Sequence, residues 1–151
     1  MGERAMDEKH LGKSKEDYLE AILMLNKKKG WCREIDVAVH LSFSKPSVSI
    51  ALSKLESGGY ITRENSGEIR LTQEGLRIAE ATLEKHEFFK SVFMRLGVAE
   101  AAAETDACLV EHSISEDTFE KIRRYVEEAE KRRSSDGSPR SDSDADPVSS
   151  G

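Results

Sequence analysis

Cys108, Glu111 and His112 bring a thiol, a carboxylate and an imidazole onto about one and a half turns of a predicted helix. Positions three and four residues apart share a helix face, so the three side chains are presented together. Soft sulfur, borderline nitrogen and hard oxygen are the donor types that bind divalent transition metals. The rest of that helix reads Ala103, Ala107, Val110 and Ile114, the alternation of four and three that buries one side. One face is therefore apolar, and the other is either half of a metal site or a solvated polar surface. A complete site needs donors from elsewhere in the chain.

The elements that could supply them follow in order. Ser14 precedes Lys-Glu-Asp and an apolar pattern, which predicts a first helix from about Lys15 to Lys29, stopped by Gly30. Tyr18, Ile22 and Leu25 form its inner stripe, with Asp17, Glu20 and Met24 beside it. Acidic residues in a first turn also serve the helix dipole, so Asp17 and Glu20 have an ordinary reading as well. A short second helix fits Arg33 to Leu41, with Ile35, Ala38 and Val39 inward. After a turn at Ser42-Phe43-Ser44, Ser44 can cap a third helix with Pro46 in its first turn, where a missing amide proton costs nothing. Val48, Ala51, Leu52 and Leu55 form its core stripe, and Ser57-Gly58-Gly59 ends it.

Two short alternating segments, Tyr60 to Arg63 and Glu68 to Leu71, flank Asn65-Ser66-Gly67 and predict a β-hairpin. Thr72 caps a long fourth helix with Leu76, Ala79, Leu83, His86, Phe93 and Leu96 on its inner side and Gly97 at its end. His86 thus stands on an apolar stripe, where a histidine is either a satisfied core residue or a ligand. A fifth helix spans about Val98 to His112 and a sixth about Ser115 to Lys131. Beyond Arg133 the chain is Ser, Asp, Gly and Pro with almost nothing apolar, a composition that predicts disorder.

Composition narrows the class. The chain has 151 residues, 37% hydrophobic and 34% charged, with a net charge of −6. That suits one domain, or two small ones sharing a core. No segment approaches the roughly 20 apolar residues of a membrane span. The charged start is neither a secretory signal nor, with Met6 where Ser or Thr is needed, a myristoylation motif. The expectation is a cytoplasmic protein. Cys32 and Cys108 are too few for a disulfide framework and are expected to be thiols. Residues 1–77 carry 13 basic and 12 acidic groups, nearly neutral within an acidic chain, which permits nucleic-acid binding without marking it.

Three helices followed by a hairpin describe a winged helix-turn-helix, with the third helix destined for the major groove. Ser44, Lys45, Pro46, Ser47 and Ser49 lie at the start of that helix, and short hydroxyls there can approach phosphates or base edges. Lys54, Arg63 and Arg70 can reach phosphates. Ile50 projects from the middle of the polar face; it is either a casual exposed residue or a contact for a thymine methyl.

Taken together, these residues resemble the metal-dependent repressors typified by the diphtheria toxin repressor and the manganese transport regulator. The resemblance covers about Ser14 to Glu128. It rests on Glu16-Asp17-Tyr18-Leu19-Glu20, Pro46-Ser47-Val48-Ser49, Leu71-Thr72-Gln73-Glu74-Gly75, Lys85-His86, and Cys108 with Glu111-His112. It implies a mainly α homodimer: a flexible lead-in over 1–13, a winged helix-turn-helix with a small β-hairpin wing over 14–75, a C-terminal helical metal-binding and dimerisation domain over 76–131, and a disordered tail over 132–151. It also implies a metal site of Asp17, Glu20, His86, Cys108, Glu111 and His112. Asp17 and Glu20 match the manganese branch of the family, whereas Cys108 matches the iron branch, where the manganese branch has glutamate. A thiolate favours Fe(II), Co(II) or Zn(II), and carboxylates suit Mn(II). Lys90 and Glu104 replace ligands of the iron branch's ancillary site, and that branch's SH3-like domain is not expected.

The implied function is a repressor of metal homeostasis genes that needs Fe(II) or Mn(II), with Co(II) or Zn(II) substituting in vitro, to bind a double-stranded, palindromic operator. No catalytic residue, small-molecule substrate or membrane partner is expected. Three alternatives remain: a thiol redox-sensing winged-helix regulator using Cys32 or Cys108, a hydrolytic metalloenzyme, and a metal-independent interaction module. The metalloenzyme would need chemistry for which no His-Glu-x-x-His pattern or nucleophile elbow is present.

Overall fold

A computed structural model describes residues 3–136, with side chains from Lys15 onward. Six helices and one two-stranded hairpin follow in the order α1 (Glu3–Lys29), α2 (Glu34–Leu41), α3 (Lys45–Ser57), β1 (Ile61–Arg63), β2 (Ile69–Leu71), α4 (Gln73–Arg95), α5 (Glu100–Glu111) and α6 (Glu116–Asp136). The described residues fall into two compact units, divided between Ser113 and Ile114.

The first unit carries everything from α1 to α5. Its core gathers Leu19, Ile22, Val37, Val48, Leu52, Ile61 and Ile69, all fully enclosed, with Tyr18, Leu25, Leu55, Ala79 and Leu83 around them. Each large side chain so enclosed contributes roughly 1.5–3 kcal/mol. The stripes expected for α1 and α3 are therefore the ones buried. The α2–α3 turn uses Ser42 at φ 57°, and Phe43 packs its ring 5.9 Å from that of Tyr18. Ser44 caps α3 by accepting from the Ser47 amide, and Pro46 sits in the first turn.

The hairpin pairs Ile61 with Leu71 and Arg63 with Ile69. The Ile69 amide also donates to the Cys32 carbonyl at 2.7 Å, which fastens the wing to the segment before α2. Thr72 caps α4 and donates its hydroxyl to the Gly59 carbonyl at 2.7 Å. Three residues on, Gly75 lies so close to the hairpin that a Cβ there would overlap the Tyr60 carbonyl oxygen. The α4 helix consequently starts at the wing and then runs past α1 and α5, its most extensive neighbours. The second unit is built on α6, whose first turn is closed by the Ser115 hydroxyl accepting from the Thr118 amide.

Several boundaries and faces differ from the sequence expectation. The first helix begins at Glu3, so Ser14 lies inside it instead of capping it. The run Glu-Arg-Ala-Met-Asp-Glu-Lys contains good helix formers and no proline, so propagation carries past Ser14. In α2 the inward residues are Val37 and Ala38; Ile35 and Val39 are exposed. A helix of eight residues has too few turns for its periodicity to pin the buried face. Leu76 on α4 and Leu96 at its C-cap are exposed, while Phe89 is buried in the line of Ala79, Leu83 and His86. The sixth helix continues to Asp136, beyond the expected end at Lys131. The remainder of the expected tail, 137–151, lies outside the described residues.

Candidate metal centre and nucleic-acid interface

Two groups of donor atoms converge within the first unit. Asp17, Cys108, Glu111 and His112 each bring one ligand atom within 4.8 Å of the others, and Glu20, His86 and Glu111 do the same. Glu111 belongs to both, so its two oxygens join them into one centre. All six side chains expected as ligands are therefore brought together, from three helices. The α1 helix supplies Asp17 and Glu20 one turn apart, α4 supplies His86, and α5 with the residue after it supplies the rest. A cavity of about 430 Å³ opens onto the centre and is also walled by Met24, His40, Leu41, Thr105 and Leu109.

Charge in this centre is balanced locally. The His112 ring meets Asp17 at 2.6 Å through Nε2 and Glu16 at 2.8 Å through Nδ1. Burial would lower the His112 pKa, but Asp17, Glu111 and Glu16 outweigh it and push it up to about 12. Contact with Glu111 leads the effects on His86, which rises to about 9 against the opposing pull of burial, with Glu104 adding to the rise. The Glu20 carboxyl is pushed up to about 7, first by burial and then by the charges of Glu111 and Asp17. For Glu111 burial acts upward, yet His112 and His86 hold it below the usual carboxylate range. Cys108 is raised by desolvation and by Glu111 and Asp17. Two histidine rings lodged among the carboxylates thus offset the repulsion between them.

The donor set fits a divalent cation. His86 Nδ1 and both Glu111 oxygens are buried and lack a hydrogen-bond partner among the described residues. The rings approach those oxygens at 3.0 and 3.1 Å, close enough for charge attraction but not aligned as hydrogen bonds. Buried polar atoms left this way are costly unless something else satisfies them. Oxygen, nitrogen and a sulfur that becomes a stronger ligand on deprotonation are what a transition metal would use.

Two partners of the rings were not among the expected ligands. Glu16 stands on Nδ1 of His112, and Glu104 stands on Nε2 of His86. Glu16 belongs to the Glu-Asp-Tyr motif, which was the available signal; nothing in spacing links Glu104 to His86. Cys32 has no part in the centre. It is fully buried, and burial above all pushes its thiol up to about 12, which leaves it protonated and unreactive.

On the reading head, Lys45, Pro46, Ser49 and Arg63 line one groove of about 590 Å³ with Arg33, Ile35 and Gly67, between α3, the start of α2 and the wing. Ser44, Ser47, Ile50 and Lys54 are exposed along α3, Ile50 at 59%. Arg63 is held by Glu56 at 3.3 Å and Ser53 at 3.2 Å, and Arg70 by Glu64 at 3.6 Å and Glu68 at 3.4 Å. Both wing arginines are therefore positioned by acidic neighbours. Arg33, which also flanks Trp31 at 5.5 Å, is a cation of this surface that the sequence did not single out.

A winged helix whose first helix lends two carboxylates to a partly buried centre of oxygen and nitrogen donors, with the exposed sulfur of Cys108 at its edge, is a metal-responsive DNA-binding regulator in design. Known proteins agree. Residues 10–68 match the family described as iron dependent repressor, N-terminal DNA binding domain, and residues 72–140 match iron dependent repressor, metal binding and dimerisation domain. The chain is 32% identical over 126 residues to the transcriptional regulator MntR of Escherichia coli O157:H7, covering 83% of this chain and 81% of that one. It is 31% identical over 122 residues to the HTH-type transcriptional regulator MntR of Geobacillus kaustophilus, covering 79% and 86%. The crystal structure of T. acidophilum IdeR matches with TM-score 0.64 and 28% identity over 73% of this chain. The manganese regulator SloR matches in fold, with TM-score 0.67, 24% identity and 75% of this chain. The matches span 53% of each of those two solved chains. The chain belongs to the iron-dependent repressor family and is a metal-dependent transcriptional regulator with DNA-binding and dimerisation domains.

Proposed function

We propose that the chain acts in the cytoplasm as a homodimeric repressor, without enzymatic activity, whose affinity for a palindromic operator rises when Asp17, Glu20, His86, Cys108, Glu111 and His112 hold Fe(II) or Mn(II). Co(II) or Zn(II) would substitute in vitro. The observation that carries this reading is the sharing of Glu111 between two donor clusters drawn from α1, α4 and α5. The proposed division places the winged helix at 14–75 and the metal-binding and dimerisation region at 76–131. The DNA surface would be Ser44, Lys45, Pro46, Ser47, Ser49, Ile50, Lys54, Arg63 and Arg70.

When bound, the cation supplies the positive charge that the two imidazolium protons supply in its absence. Asp17 and Glu20 sit on α1, which packs on α2, α3, α4 and β2. Their position relative to α5 therefore sets the position of the reading helix. His86 and His112 must release protons before they can ligate, so affinity rises with pH. Any ligand that favours one pose of α1 against α5 shifts the population toward that pose.

The buried, unreactive Cys32 disfavours a redox switch at that residue, and the proximity of Cys108 to Asp17, Glu111 and His112 supports a ligand role for it. The test is titration of metal-free protein with Mn(II), Fe(II), Co(II) and Zn(II), read by operator-selective DNA retention. Selective binding that appears with metal and vanishes with chelator supports the proposal. Operator binding indifferent to chelator contradicts it.

A further inference from the structure

We infer that Glu104, held in place by Lys90, is a positioning residue for the metal centre: it fixes the ring of His86 so that Nδ1 faces Glu111. The inference rests on the proposed role of His86 as a ligand and goes beyond it to a residue outside the ligand set.

His86 Nε2 lies 2.8 Å from Glu104 Oε1, and the opposite nitrogen, Nδ1, lies 3.0 Å from Glu111 Oε2. The ring is 8% exposed, so it has little freedom to turn. Glu111 and Glu104 can each only accept, so both favour a proton on the nitrogen they face; when a cation beside Glu111 displaces the Nδ1 proton, Glu104 keeps the other on Nε2. That leaves the lone pair on Nδ1, inside the cluster with Glu20 and Glu111. The second oxygen of Glu104 is taken by Lys90 Nζ at 2.9 Å, and Lys90 also reaches Glu100 at 3.5 Å. Lys90 is one helical turn beyond His86 on α4, whereas Glu104 is on α5, so the three residues pin the two helices together beside the ligand. An ammonium already neutralises Glu104, which suits the carboxylate to an outer role instead of a second cation site. Carboxylates hydrogen-bonded behind a ligating histidine typically change metal affinity 10–100-fold when removed.

The test uses full-length protein and Glu104→Gln, which keeps the shape and an acceptor but loses the charge and weakens the hold of Lys90. Mn(II) binding is followed by the electron paramagnetic resonance of free Mn(II). Co(II) loading is followed by its visible bands, including the sulfur-to-cobalt transition that reports Cys108. The expected result is affinity about 10–100-fold weaker, an altered ligand-field band, an unchanged sulfur transition, and unchanged circular dichroism of metal-free protein. In a double-mutant cycle, Glu104→Gln should add little once His86→Gln is present. If Glu104→Gln binds metal as the parent does while His86→Gln is impaired, the positioning role is wrong and the metal site stands. If His86→Gln itself binds normally, both fall.

Discussion

Glu20 is a carboxylate kept in the wrong place for stability, and its replacement separates folding from function. The residue is 8% exposed, and its pKa is pushed from 4.5 to about 7 by burial first and then by Glu111 and Asp17. A carboxyl whose pKa is higher in the fold than in the unfolded chain binds protons more tightly when folded. Its favourable contribution is therefore complete below about 4.5 and is lost as pH rises toward about 7. At roughly 1.4 kcal/mol per tenfold change in proton affinity, the loss at pH 8 is about 3 kcal/mol. Glu20→Gln is neutral at every pH and nearly the same shape. Metal-free Glu20→Gln should thus be more stable than the parent at pH 8 by up to about 3 kcal/mol, on the order of 10 °C in melting temperature. At pH 4.5 the gain should be small. Added Mn(II) should then reverse the order, because the parent gains binding free energy that the variant, lacking a proposed ligand, gains less of. The assay is thermal melting with chelator and with Mn(II) at both pH values and one fixed protein concentration. A metal-free variant no more stable than the parent at pH 8 would refute the reasoning.

Other substitutions probe the remaining links. Cys108→Glu replaces a soft donor with a hard one and should shift the ranking of metals toward Mn(II), measured as competitive binding of Mn(II) and Co(II). Gly75→Ala forces a methyl onto the Tyr60 carbonyl and should cost about 3 kcal/mol, the upper end for overpacking, read by denaturant midpoint; an unchanged midpoint would mean α4 does not abut the wing. Ile50→Ser should lower operator binding relative to random DNA by about tenfold while leaving the salt dependence alone, since no phosphate contact is lost. A changed salt slope with unchanged selectivity would assign Ile50 no role in reading bases.

Local rules made much of this protein legible from its sequence. The periodicity of Tyr18, Ile22 and Leu25, the cap and proline at Ser44 and Pro46, and the Asn-Ser-Gly turn each act over a few residues, so the winged helix could be read directly. The donor types of the centre were visible for the same reason, because helical spacing places Cys108 beside Glu111 and Asp17 beside Glu20. Only packing decided the rest. Glu16 meets His112 across 96 positions, and Glu104 meets His86 across 18, distances at which no periodicity operates. Packing also placed one carboxylate, Glu111, between two rings, and it made those rings the counter-charges. Protonation follows from burial and from the sum of surrounding charges, which exist only after α1, α4 and α5 have closed around the site.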